Sequence, residues 1–144
     1  MMQRSDLPAP EHGFVITHFL VVADQDRARD FYTAVLEARP VVQRDPVILK
    51  VANTWLILNA GGPPTDDKPG VTLATPGSHD TVSAFMNIRV ADIAAFHART
   101  VDAGAEWLTP PIDRGAEIRG YIRDPDGHLI EVGQATGMLQ AADG

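Results

Sequence analysis

Phe14-Val15-Ile16-Thr17-His18-Phe19-Leu20-Val21-Val22-Ala23-Asp24 and Ser83-Ala84-Phe85-Met86-Asn87-Ile88-Arg89-Val90-Ala91-Asp92 read as two versions of one element. Each is a strand-length run, rich in aromatic and β-branched residues, that closes on the same Val-Ala-Asp triplet. Self-similarity of this kind marks a duplicated module. The closing aspartates stand where helix N-caps belong, because a carboxylate there accepts from first-turn amides that have no partner within the helix.

Each cap is followed by an amphipathic stretch. Ala28, Phe31, Tyr32, Val35 and Leu36 recur at helical spacing after Asp24, and Ile93, Phe96, His97 and Val101 do so after Asp92. Gly104 is the expected stop of the second helix. Three short strands are predicted after each helix: about 40–43, 47–51 and 55–59 in the first copy, and about 107–109, 118–122 and 129–133 in the second. Asp124-Pro125-Asp126-Gly127 joins the last two, with proline presetting φ and glycine supplying a position of positive φ. The expected architecture is α+β: two tandem βαβββ modules whose mixed sheets carry a helix on one face and curl around a cleft on the other. Module 1 spans about 14–60 and module 2 about 84–135 of a single domain, 14–135, with tails at 1–13 and 136–144. A Gly/Pro/Ser/Thr-rich connector occupies 61–83, long enough to be functional or mobile. Its Asp66-Asp67-Lys68 reads as a solvated turn.

With 144 residues the chain builds one core of ordinary globular composition, 44% hydrophobic and 22% charged. A net charge of -7 without a Lys/Arg run argues against nucleic acid as a partner. The absence of cysteine removes disulfides, thiolate nucleophiles and Cys-ligated zinc. No apolar run is long enough for a membrane span, and 1–13 lacks the apolar centre of a signal peptide. A cytoplasmic protein is expected.

The order of elements, with Val22-Ala23-Asp24-Gln25-Asp26-Arg27-Ala28-Arg29-Asp30-Phe31-Tyr32 at the first strand–helix junction and Arg123-Asp124-Pro125-Asp126-Gly127-His128-Leu129-Ile130-Glu131 at the end, resembles the glyoxalase/bleomycin resistance/extradiol dioxygenase superfamily, the vicinal oxygen chelate fold. The resemblance covers about 15–134 and speaks to fold more than to reaction. It implies a small-molecule ligand, a homodimer, and either a lyase, isomerase or dioxygenase type of enzyme or a metal-free protein that sequesters an antibiotic-like ligand.

The resemblance also implies a divalent metal held by His, Gln or Glu on the first and last strands of each module. Glu131 stands at the last such position and is the candidate catalytic acid/base. Matching Trp55-Leu56-Ile57-Leu58 to His128-Leu129-Ile130-Glu131 puts Leu58 opposite it, and leucine cannot ligate. The superfamily's spacing puts the first-strand positions on Thr17 and Phe85. In that register Thr17, Phe19 and Val21, with Phe85, Asn87 and Arg89, face the cleft, and His18 faces the helix. His18 and Glu131 are the weak metal candidates, so a degenerate metal site is expected.

Thr17, Phe19, Phe85, Asn87, Arg89, Tyr121 and Trp55 are the candidate substrate-binding residues, Arg89 through its bidentate fork and Trp55 by stacking. Each has a structural reading beside the functional one. Glu131 is either a proton shuttle or the partner of Arg89 or Arg119, and Trp55 and Trp107 are either ligand walls or packing. His12, His79, His97 and His128 read as loop, helix or turn residues.

Overall fold

The structure is a computed structural model that describes residues 6–137. The expected tails therefore fall partly outside the described residues. The chain divides between Gly77 and Ser78 into two compact units, so the connector is shared: 61–77 fold with the first unit and 78–83 with the second. Within the first part, Gly62 and Leu73 form an isolated antiparallel bridge.

The first unit is built from β1 (His18–Val21), α1 (Gln25–Leu36), β2 (Arg39–Val42), β3 (Val47–Val51) and β4 (Thr54–Asn59). Their sheet has the order β1-β4-β3-β2, with β1 parallel to β4 and the other pairs antiparallel. The second unit repeats the plan with β5 (Met86–Arg89), α2 (Ile93–Asp102), β6 (Glu106–Trp107), β7 (Ile112–Asp113), β8 (Glu117–Arg123) and β9 (Leu129–Ala135). Here the order is β5-β9-β8-β6, β5 is parallel to β9, and β7 also pairs with β8. Two tandem βαβββ modules with mixed sheets are thus the architecture.

The aspartate caps form as the duplicated triplet requires. Asp24 accepts from the Arg27 amide at 3.0 Å and Asp92 from the Ala95 amide at 3.1 Å. Gly104 follows α2 with φ of +94°, in the left-handed region that suits glycine after a helix end. Ala28, Tyr32 and Val35 bury the α1 face against β3 and β4, where Val47, Leu49, Leu56 and Leu58 are fully enclosed. On α2, Ile93 and Thr100 are buried while Val101 is exposed. The apolar face expected there therefore turns by one residue at its end.

Two boundaries and one register differ from expectation in ways that the strand pairing explains. The first strand begins only at His18, because β4 starts at Thr54 and the Thr54 hydroxyl, rather than a backbone amide, takes the Ile16 carbonyl at 2.7 Å. The expected strand at 107–109 is broken into β6 and β7. Pro110 and Pro111 have no amide to give to the ladder, so four residues (108–111) stand opposite Gly120 and Tyr121 before pairing resumes. Gly120 is required at this point: a Cβ there would lie 2.7 Å from the Trp107 ring.

The third difference is a register. Asn87 pairs with Glu131 in the second module, and Phe19, at the same distance before its cap, pairs with Ile57 in the first. The counterpart of Glu131 is therefore Ile57. Leu58 points the other way and is fully buried beneath α1. The final hairpin of module 1 turns through two residues, Ala52 and Asn53, and that of module 2 through five, so counting across the turn loses the strand parity.

Candidate functional site

Strand alternation and pairing arrange the helix-free face of the second sheet in rows. Residues directly paired across strands share a face. Leu129 and Arg123 make one row, Asn87, Glu131 and Tyr121 the next, and Arg89, Gly133 and Arg119 the third, with Ala135 and Glu117 beyond. Phe85 precedes Asn87 by two residues and continues its side of the chain. The opposite face carries Ile130, Val132 and Ile122, all buried. Polar Asn87 and Arg89 avoid that face, as hydropathy demands.

At the centre, the Glu131 carboxylate is held from both sides. The Tyr121 hydroxyl donates to Oε2 at 2.5 Å, and the Asn87 amide donates to Oε1. The hydrogen bond to Glu131, followed by burial, raises the Tyr121 phenol above its usual pKa. The Phe85 ring meets Tyr121 edge-on at 6.3 Å between centroids.

Beside this group lies a pocket of about 430 Å³, lined by His79, Asp80, Val82, Phe85, Leu108, Tyr121, Arg123 and Leu129. Arg123 ties it together, donating to the His79 carbonyl at 2.6 Å and the Gly127 carbonyl at 3.2 Å. The His79 ring rests on Gly127, whose φ of +90° and lack of a Cβ make room for it.

Arg89 and Arg119 flank Gly133 in the third row. Arg89 bonds Glu117 at 2.9 Å, and Arg119 lies 3.8 Å from the other oxygen of the same carboxylate. The structural alternative in which Glu131 pairs with an arginine is thus replaced: Glu117 takes the arginines, and Glu131 takes Asn87 and Tyr121.

Of the candidate residues, Phe85, Asn87, Arg89, Tyr121 and Glu131 come together on this face. Thr17, Phe19 and Trp55 belong to the first unit. There Phe19 is 46% exposed, while Trp55 stacks under the Lys50 ammonium at 3.9 Å and donates to the Asp6 carbonyl at 2.7 Å. His18 pairs with Leu56 on the helix-facing side of its sheet. Trp107 packs inward, its indole donating to Thr100 at 3.0 Å beneath the ring contacts of Phe96 and His97. The sequence reading missed Glu117, Arg123, Leu129, Leu108 and the pocket role of His79. Alternation from Tyr121 and Glu131 points to the first three. Nothing local to His79 or Leu108 does.

Residues 15–132 match the Glyoxalase/Bleomycin resistance protein/Dioxygenase superfamily. The chain belongs to that superfamily. It is 34% identical over 119 residues to the metallothiol transferase FosB of Shouchella clausii, covering 80% of this chain and 75% of that protein. Among solved structures it is similar to the integron cassette protein VCH_CASS1 from the V. cholerae mobile metagenome, with a TM-score of 0.66, 23% identity, and coverage of 89% of this chain and 99% of that one. The fosfomycin resistance protein FosX of Mesorhizobium loti shares the fold at a TM-score of 0.62 and 16% identity, covering 92% and 99%.

The superfamily's divalent ion needs donors at the strand positions it uses. This chain supplies Thr17, Phe85, Ile57 and Glu131 there. A phenyl ring and an isoleucine offer no lone pair, and the one carboxylate is already engaged by Asn87 and Tyr121. Among the described residues no group of three His, Cys, Asp or Glu is placed to hold a metal. The donor set does not fit the ion. Nor is any helix among the described residues long and apolar enough to cross a membrane.

Proposed function

We propose that this chain binds a small oxygenated molecule on the open face of its second sheet, with Glu131 acting as an acid/base or hydrogen-bonding carboxylate in a degenerate metal site. The observation that carries this reading is the Asn87–Glu131–Tyr121 group set against a pocket walled by Phe85, Leu108 and Leu129. Convergent polar groups beside an apolar pocket are the usual form of a ligand site. Asn87 and Tyr121 hold the carboxylate in one orientation, so that a ligand hydroxyl arriving over it meets a fixed carboxylate acceptor. Sequestration of an antibiotic-like ligand needs only the pocket, whereas turnover also needs the Glu131 proton transfer.

The test is equilibrium binding of a panel of oxygenated small molecules, followed by the backbone amide resonances of Phe85, Asn87 and Glu131. Shifts unaffected by EDTA and weakened by Asn87→Ala or Tyr121→Phe are expected. A stoichiometric divalent ion that leaves on Glu131→Gln would overturn the reading. It would favour instead the metal-assisted thiol transfer suggested by the identity to FosB. A cytoplasmic homodimer belongs to the same proposal, and sedimentation of the purified chain tests the oligomer.

A further inference from the structure

The open face of the second sheet changes character along its strands. Phe85, Leu129 and the pocket stand at one end, the Asn87–Glu131–Tyr121 group in the middle, and Arg89–Gly133–Arg119 at the other end. Rows two residues apart are separated by about 7 Å, so the Leu129–Arg123 row beside the pocket and the Arg89–Gly133–Arg119 row lie about 13 Å from one another. In a chain of net charge -7, the third row gathers two guanidiniums around one carboxylate. The side chains of Arg89 and Arg119 remain 41% and 37% accessible, and that of Glu117 only 19%.

Gly133 is the device that permits this. It is paired with both arginines, and any Cβ on it would overlap the Arg89 guanidinium, which lies across its backbone. The space above Gly133 is thus taken by the Arg89 guanidinium and the Glu117 carboxylate, which leaves the outward sides of the two cations to the solvent. Guanidiniums present forked donors that match the two or three coplanar oxygens of an oxyanion. Glu117 takes one hydrogen bond from Arg89, lies 3.8 Å from Arg119, and neutralises one charge of two.

We propose that the ligand is an elongated anionic amphiphile. Its oxyanion, a carboxylate or a phosphoryl group, is held by the outward sides of Arg89 and Arg119, and its apolar end enters the Phe85–Leu108–Leu129 pocket. This rests on the binding reading above and names its substrate class. The ligand's midsection then crosses the Glu131 carboxylate. Glu117 beside the guanidiniums and Glu131 one row away both repel the oxyanion, but with Glu117 counted the pair of guanidiniums keeps one net positive charge at hydrogen-bond range, which outweighs Glu131 at about 7 Å.

The test compares 6-phenylhexanoate, 6-phenylhexyl phosphate and the neutral 6-phenylhexan-1-ol, by calorimetry and by amide shifts on the full chain. Both acids are expected to bind at least about tenfold more tightly than the alcohol, the gain expected of charge-assisted hydrogen bonds. Their advantage should fall with salt, and shifts should appear at Arg89, Gly133 and Arg119. The tighter acid identifies the headgroup. Arg89→Gln with Arg119→Gln should erase the advantage of the acids over the alcohol. Glu117→Gln, which releases both guanidiniums, should increase it, an effect that a merely structural role for Glu117 would not produce.

Equal binding of acids and alcohol, with shifts confined to Phe85 and Leu129, would overturn the anionic subsite and leave the binding reading standing. Absence of any shift on this face with all three probes would overturn both. If the double arginine variant unfolds, Arg119→Gln alone must weaken the acids selectively or the proposal fails.

Discussion

The two modules share a backbone plan and differ in what they put on it. Phe19 and Ile57 occupy in the first sheet the places that Asn87 and Glu131 occupy in the second, and Val21 and Asn59 match Arg89 and Gly133. One helix-free face is therefore largely apolar and the other ionic. The helix side shows the same divergence. Tyr32 and Thr100 lie at equal distances beyond their caps and both are fully buried. A phenol fills the space under α1, whereas under α2 a small hydroxyl is completed by the indole of Trp107. Duplication thus preserves strand pairing and capping, which depend on the backbone, and leaves each face free to take its own chemistry.

Because a single side chain does in module 1 what two share in module 2, truncation should hurt the modules unequally. Tyr32→Ala is expected to cost about 3–5 kcal/mol, through lost burial and the cavity left behind. Thr100→Val keeps the volume but strands the Trp107 indole N–H, at about 1–3 kcal/mol. Urea unfolding measures both. Equal losses would break the contrast drawn between the two helix interfaces.

The caps make the opposite prediction, since they are what the modules hold in common. Asp24→Ala and Asp92→Ala should each cost about 1 kcal/mol by the same measurement. A marked inequality would mean that one cap is supported from elsewhere, and Gln134, which accepts from the Ile93 amide at 2.9 Å, is the group to remove next.

The smallest effect is a titration. Tyr121 is held protonated above its ordinary range, chiefly by its bond to Glu131. The stability from that bond is complete below about pH 10, the unfolded phenol's value, and is lost as pH climbs through the raised folded value. Glu131→Gln should bring the Tyr121 phenol back down, read as tyrosinate absorbance against a Tyr121→Phe control. An unchanged titration would remove Glu131 as the cause.

Much of this was legible in the residues. The Val-Ala-Asp repeat located both strand–helix junctions, and polar alternation in Asn87 and Arg89 pointed the second sheet's face correctly. Glu131 and Tyr121 fell on that face for the same reason. What escaped were quantities that depend on turn length and on contacts across strands. Leu58 was matched to Glu131 by aligning Trp55-Leu56-Ile57-Leu58 with His128-Leu129-Ile130-Glu131, one residue out of the register that pairing with β1 and β5 sets. Glu117 went unnoticed as the partner of Arg89 because the two are distant along the chain and adjacent only once β5, β9 and β8 pair. The Pro110–Pro111 interruption, plain as a pair of prolines, gave no hint that the strand would resume at Ile112.

Those prolines, between β6 and β7, have a counterpart in Pro40 of β2, so one margin of each sheet carries residues that cannot donate to a neighbour. Unpaired sheet margins recruit foreign strands and seed fibrils, and imino acids placed there deny the invading chain its hydrogen-bond template. Concentrated solutions of this protein should consequently resist amyloid-type assembly, a property that Pro40→Val would erode without touching either core.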